Sequence, residues 1–409
     1  MAWRSPSSLW HRLAVVLAAL PLLGAGAPVV QVGLDRIAAE RGASLRGKRV
    51  GLVVHAASVA ADGRHAIDVM RTASVNVVRL FTPEHGLSGR AAAGETVAGG
   101  HDAVSGLPIV SLYGEKTRPS AADLAGLDAL VVDLQDAGVR FYTYASTMLL
   151  CLDAAAESGI ELFVLDRPNP LGGDRWDGPR RGPETEVPLS LVSRAPGPLV
   201  HGLTLGEMAR VANAARAKPA RLTVVAMEGW KRSMRWLDTG REWVPPSPNL
   251  RTAEAALAYP GTCLVESTRA TEGRGTDAPF LLIGAPWVDA DALASVRSPG
   301  FALTKARFTP RASEAAPSPK HRDVECAGVR VSVTDPSATR PYELGLRLLQ
   351  ALRKQAGFGW TRDGALDWLV GTRRVREAIE RGDSIEAMLD ANAADLAAWE
   401  RERVPALLY

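Results

Sequence analysis

Short apolar runs recur along the first half of the chain, at residues 49–54, 75–81, 109–113, 129–134 and 162–165, each rich in Val, Leu or Ile. Stretches with helical spacing separate them, as at residues 64–73 and 147–158. A strand with one wet face alternates apolar and polar positions, whereas a strand covered on both faces is apolar throughout. Continuous apolar runs alternating with helices therefore predict the α/β class. The expected form is a Rossmann-like parallel sheet covered on both faces, over about residues 30–190. Residues 179–198 turn rich in Pro, Arg and Gly and read as a crossover or linker. Beyond them Thr204 opens a helix with Glu207 at the capping-box position. Further strands are expected at residues 222–227, 263–266, 280–283 and 329–333, and residues 373–399 read as strongly helical. The second half, residues 191–409, is thus predicted to be a smaller mixed α/β domain that closes a cleft.

The strand ends carry the chemistry. The predicted strands finish in His55, in Glu84-His85, in Gln135-Asp136 and in Asp166-Arg167. In open α/β sheets ligands bind at the carboxyl ends of the strands, so four polar strand ends at one rim predict a cleft there. Segment 81–89, Phe-Thr-Pro-Glu-His-Gly-Leu-Ser-Gly, is the most informative of them. A rigid strand delivers the Glu84 carboxylate to the rim, as a general acid requires, with His85 beside it. The segment also fits a plain turn in which Glu84 caps the next helix.

Glu84 and Glu95 are joined by glycine-rich chain, and two carboxylates facing one cavity are the minimal kit for cleaving a glycoside. A solvated loop charge is the plainer reading of Glu95 alone. Residues 136–144 join Asp136, Arg140 and the aromatics Phe141, Tyr142 and Tyr144 in one loop. Aromatic rings stack on sugar faces, and a guanidinium pairs bidentately with a carboxylate. An Asp136–Arg140 ion pair over buried aromatics is the alternative. Two prolines stiffen the loop that presents Asn169, and three stiffen the loop that presents Asn249. Glu272 and Arg274 share a Gly-rich loop without the P-loop pattern. His85, His101 and His201 lie near these loops, His201 just ahead of the capped helix.

Other chemistries lack their signatures. No G-x-G-x-x-G follows the first strand, and no H-E-x-x-H, C-x-x-C or G-x-S-x-G occurs. No cofactor and no metal is expected. Formal net charge is +3, of which Arg4 and Arg12 belong to the N-terminal segment, so the near-neutral body gives no reason to expect nucleic acid. Residues 1–27 read as a secretory signal: a basic start, an apolar run at 13–23 and Ala25-Gly26-Ala27 as the cleavage pattern, with Pro28 ill-suited just after that cut. An exported protein, periplasmic or secreted, with no membrane span in the mature chain is expected. Cys151, Cys263 and Cys326 are widely spaced, and Cys151 reads as a core residue.

Taken in order, these loops resemble one family. The motifs are Thr82-Pro83-Glu84-His85-Gly86 with Ala93-Gly94-Glu95, the stretch 133–144, the stretch 164–173 and His201-Gly202-Leu203-Thr204. Ser247-Pro248-Asn249, Tyr259-Pro260-Gly261 and Glu272-Gly273-Arg274-Gly275-Thr276 complete the set. The family is the exo-β-N-acetylmuramidases, long catalogued as a domain of unknown function, and the resemblance covers about residues 30–409. It implies a Rossmann-like domain joined to a smaller C-terminal domain, with the cleft between them. It implies removal of terminal N-acetylmuramic acid from the non-reducing end of peptidoglycan fragments, with muramyl saccharides as the partner molecules. The glutamate proposed as catalytic in the family falls on Glu84. After the first strand the family usually has an Asn and a Thr, where this chain has His55-Ala56-Ala57-Ser58. Muramic acid carries a lactyl carboxylate, so a selective site needs a cation, with Arg140 and Arg274 as the candidates. Glu95 or Asp136 would supply the second carboxylate, and His85, Tyr142, Asn169, His201, Asn249, Glu272 and Arg274 would bind substrate.

Overall fold

The protein is described here as a computed structural model, which describes Met1, residues 29–362 and residues 364–409. The signal-like segment therefore lies, Met1 apart, outside the described residues. A seven-stranded sheet forms the larger layer. Its strands are β1 (Arg49–Val54), β2 (Asn76–Thr82), β3 (Gly100–His101), β4 (Pro108–Ser111), β5 (Ala129–Asp133) and β6 (Glu161–Leu165). After the short antiparallel pair β7 (Asp177–Arg180) and β8 (Pro198–Val200), β9 (Arg221–Val225) completes the sheet. The order across it is β3-β4-β2-β1-β5-β6-β9, parallel except for the β3–β4 pair.

Both faces are covered, as continuous apolar strands require. All five residues of β5 are buried. Leu130 and Val132 face one core, while Ala129 and Val131 face the other. The first core is filled from the helices Thr143–Ser158 and Leu205–Ala214, the second from Gly33–Ala39 and Ala66–Thr72. Each buried Val or Leu side chain contributes about 1.5–3 kcal/mol.

A second sheet, antiparallel and three-stranded, lies in the C-terminal part: β10 (Leu282–Ala285), β11 (Phe301–Phe308) and β12 (Cys326–Val333), in the order β10-β12-β11. Helices Ala253–Thr262 and Pro341–Arg353 pack beside it. They approach closely at Gly261, where an added Cβ would fall 1.9 Å from the Pro341 carbonyl oxygen. The apolar core continues from the large sheet into this region without a break.

Two expectations need correction. Strand β9 belongs to the large sheet although it follows residue 190, so a division at 190/191 cuts through that sheet. Residues 263–266 are not a strand: Cys263–Ser267 is a 3-10 helix running directly on from Ala253–Thr262. A short apolar run has the same composition in a buried helix as in a buried strand, and here the preceding helix carries it on. The Thr204 cap is as expected: its hydroxyl accepts from the Glu207 amide while Glu207 accepts from the Thr204 amide.

Candidate functional site

Strand β2 ends at Thr82, and the chain then turns through His85 and Gly86, both at positive φ (71° and 69°). Glycine adopts that backbone freely, but for a histidine it costs of order 1–3 kcal/mol and persists only where the surroundings fix it. Here the His85 Nδ1 lies 2.8 Å from the Ala91 carbonyl oxygen. Burial lowers the imidazole's pKa, against the opposing charge of Glu84.

The turn sets Glu84, only 8% exposed, into the wall of a cavity of ≈350 Å³. Both its oxygens are held. Oε1 accepts from the Gly94 amide and Oε2 from the Thr143 hydroxyl, each at 2.9 Å. Burial and then the Glu84 charge push the Tyr113 hydroxyl well above the usual tyrosine range, so Tyr113 stands beside the carboxylate as a protonated donor. The Tyr144 hydroxyl lies 2.6 Å from the Pro246 carbonyl and 3.2 Å from that of Glu84, tying the Asn249 loop to the Glu84 turn.

Another stretch of the lining joins Tyr142, from the loop after β5, to Tyr259 and Phe280 of the C-terminal part. Tyr142, Tyr259 and Phe280 meet edge to face, with centroids 6.0 Å and 4.7 Å apart. Such a wall offers π faces to a sugar's C–H side. The Tyr142 hydroxyl and Asn249 Oδ1 are buried and lack hydrogen-bond partners among the described residues. Arg274 lies over the Phe280 ring, and its Nη1 reaches Glu266 Oε2 at 2.6 Å and Glu272 Oε1 at 2.7 Å. Lys320 Nζ stands 3.2 Å from the other Glu272 oxygen and donates to the carbonyls of Glu266 and Ala270. Burial opposes the charge on Glu272, but Lys320 and Arg274 outweigh it and hold the carboxyl down at about 2.

The cavity thus brings together Glu84, His85, Tyr142, Asn249 and Arg274, with Glu272 directly behind Arg274. Five other expected residues do not join it. Glu95 is exposed, and its carboxylate accepts from the Ala92 amide at 2.9 Å within its own loop. Asp136 turns inward: one oxygen caps the Gly138 amide at 2.8 Å and lies 3.3 Å from His201 Nε2, and His201 is fully buried with it. Asn169 bridges the Leu203 carbonyl and the Leu171 amide, each at 2.9 Å.

Arg140 is fully buried and donates to the carbonyls of Pro179, Gly197 and Val370. Burial, then the like charge of Arg181, lowers it to about 9, and it serves to pin three chain segments together. His55 is likewise fully buried. Burial, then Arg167, lowers its pKa well below the usual value, and its Nε2 accepts from the Gln135 amide. Tyr113 and Glu266 line the cavity unforeseen, joined by Thr143 and Tyr259 from motifs already singled out in the sequence. Tyr113 closes an apolar run, so the strand-end rule that singled out Glu84 applies to it equally.

Two family models cover nearly the whole of the described chain: exo-β-N-acetylmuramidase NamZ, N-terminal, at residues 50–254, and its C-terminal counterpart at residues 257–409. The chain belongs to the NamZ family. Among its relatives is the peptidoglycan β-N-acetylmuramidase NamZ of Bacillus subtilis, 38% identical over 93% of this chain and 92% of the relative. Two crystal structures of DUF1343-family proteins from Bacteroides fragilis share the fold. They have TM-scores of 0.83 and 0.74 at 30% identity, covering 93% of this chain and 99% of each of those. The N-terminal NamZ model ends just ahead of Tyr259 and so includes β9, while the aromatic wall and Arg274 straddle or follow the boundary. Both NamZ parts therefore contribute to the cavity.

Proposed function

We infer that this protein is an exo-β-N-acetylmuramidase, a glycoside hydrolase that releases terminal N-acetylmuramic acid from peptidoglycan fragments. The observation that carries this reading is Glu84. It is a carboxylate fixed by a strand end, a hydroxyl and an amide, and it faces an aromatic-walled cavity. At ≈350 Å³ the cavity is at the small end of the range for ligand pockets, which suits one terminal sugar. Glu84 gives its proton to the glycosidic oxygen as the C1–O bond breaks, and water completes the cleavage at C1. Glu266 is the other carboxylate lining the cavity, and we assign it the second acidic role in place of Glu95 and Asp136. Arg274 and Arg362 supply positive charge at the cavity for the lactyl carboxylate, which Arg140 does not reach.

Purified protein is expected to release the chromophore from a chromogenic N-acetylmuramide and to leave the matching N-acetylglucosaminide largely intact. Cleavage of the glucosaminide alone would sink the substrate assignment, and cleavage of neither would sink the enzyme. We also propose that the protein acts outside the cytoplasm. The basic start, the apolar run at residues 13–23 and Ala25-Gly26-Ala27 support that reading. Cell fractionation with N-terminal sequencing of the mature chain tests it, and a cytoplasmic protein starting at Met1 would overturn it.

A further inference from the structure

The large sheet has a second edge. Helix Ala66–Thr72 leads back from the end of β1 to the start of β2, and Arg46 lies just ahead of β1. The far end of this helix therefore sits at the amino ends of the strands, across the sheet from Glu84. A hollow of ≈520 Å³ lies there, between residues 38–46 and 69–74, and Arg64 reaches it from the start of the same helix. Three guanidiniums line it, those of Arg41, Arg46 and Arg64, over apolar Ala38, Val69 and Ala73. Among the described residues no carboxylate lines it.

These cations have no evident structural task. The neighbouring arginines are paired: Arg36 with Glu228 at 2.7 Å, Arg49 with Asp128 at 3.0 Å and Arg71 with Asp68 at 2.7 Å. Arg64 is held by Asp62 at 2.7 Å. Arg41 and Arg46 have no carboxylate partner among the described residues, and Glu40 accepts instead from the Ser44 amide at 3.2 Å. Nor do the helix ends need them as caps. The Ile37 and Ala38 carbonyls accept from the Gly42 and Arg41 amides, and the Met70 and Arg71 carbonyls from those of Val75 and Ser74. Like charges around one concave space focus a positive field into it, and an anion relieves their repulsion.

We propose that this hollow is a binding site for a small phosphate ester with a polyol arm. Arg41 and Arg46 take the phosphate oxygens in forked pairs. The Thr72 and Ser74 side chains, also on the lining, suit the polyol hydroxyls. The volume is that of an organic ligand rather than of a bare ion. The site is separate from the cavity at Glu84 and does not rest on the muramidase reading.

The group has two sources, a free ester and a lipid headgroup. The probes are therefore glycerol 3-phosphate, titrated by calorimetry, and phosphatidylglycerol vesicles, sedimented beside phosphatidylcholine vesicles. Whichever probe binds identifies the source. Arg46 is exposed, and the φ of 51° at Arg41 suits glycine, so a double variant Arg41→Gly, Arg46→Ala is expected to fold. It should bind that probe roughly tenfold more weakly or worse. Ala73→Trp fills the hollow and leaves every charge in place, and it should cause a similar loss. Turnover at Glu84 should be unchanged in both variants. Binding of neither probe, or binding that survives either variant, would overturn the site.

Discussion

The rim of the large sheet has two halves that look alike in sequence and are used differently in the fold. At the ends of β2 and β4, Glu84 and Tyr113 open into the cavity. At the ends of β1, β5 and β6, the equally polar His55, Asp133, Asp136 and Asp166 are sealed into a buried network. There Arg167 pairs with Asp133 at 2.5 and 2.8 Å with both side chains essentially fully buried. Asp166 accepts from Thr204, Gly206 and Tyr409. The strand-end rule brings polar groups to the rim. Whether they meet a ligand or one another depends on what the rest of the chain packs over them.

Four measurements separate the halves, ordered from the largest effect. Glu84→Gln should cost roughly 10²–10⁴-fold in kcat, while stability shifts by no more than about 1 kcal/mol. A variant that retains full turnover would remove Glu84 from the chemistry. Asp133→Ala should do the converse. It strands the buried Arg167 charge, so urea unfolding should show a loss of about 3–5 kcal/mol, with kcat per folded molecule within about twofold of wild type.

Asp166 makes the sealed half pH-sensitive. Burial, against its hydrogen bonds, raises its pKa from 3.8 to about 6. Its folded pKa thus exceeds the unfolded one, so its stabilisation is fully present below about pH 4 and is lost as pH rises through about 6. The stability difference between wild type and Asp166→Asn should shrink by about 3 kcal/mol from pH 4 to 7. A difference flat with pH would refute this. The smallest effects come as a pair. Asn169→Ala, on the sealed side, should lose about 1–3 kcal/mol with KM intact, because it leaves a buried amide and a carbonyl unmet. Tyr142→Phe, on the open side, should change stability by less than about 1 kcal/mol, since its hydroxyl has no partner to lose. Its effect should appear as a raised KM.

The sequence made one half of this legible. Strands buried on both faces announce themselves as unbroken apolar runs, and Thr204 with Glu207 announces a helix start by local hydrogen bonding. The sealing of the half at β1, β5 and β6 was not legible because its causes are distant. His201, which covers Asp136, is itself held through its carbonyl by Trp399 Nε1 at 2.9 Å. Arg140 looked like a ligand for carboxylates, yet its partners are three backbone carbonyls, and carbonyls leave no mark in a sequence. Glu266 was obscured by Cys263-Leu264-Val265, whose apolar character fits a strand and a buried helical turn equally well.

The Tyr409 hydroxyl, 2.7 Å from Asp166, has a consequence for the order in which this molecule can be made. The partners lie 243 positions apart, and the same hydroxyl also receives the Met227 amide at 2.9 Å. A ribosome delivers the sheet long before it delivers residue 409. Until then the nascent half carries an aspartate and an amide that are short of a partner in its interior. The N-terminal half therefore reaches its final form only once the segment carrying Tyr409 has docked onto it.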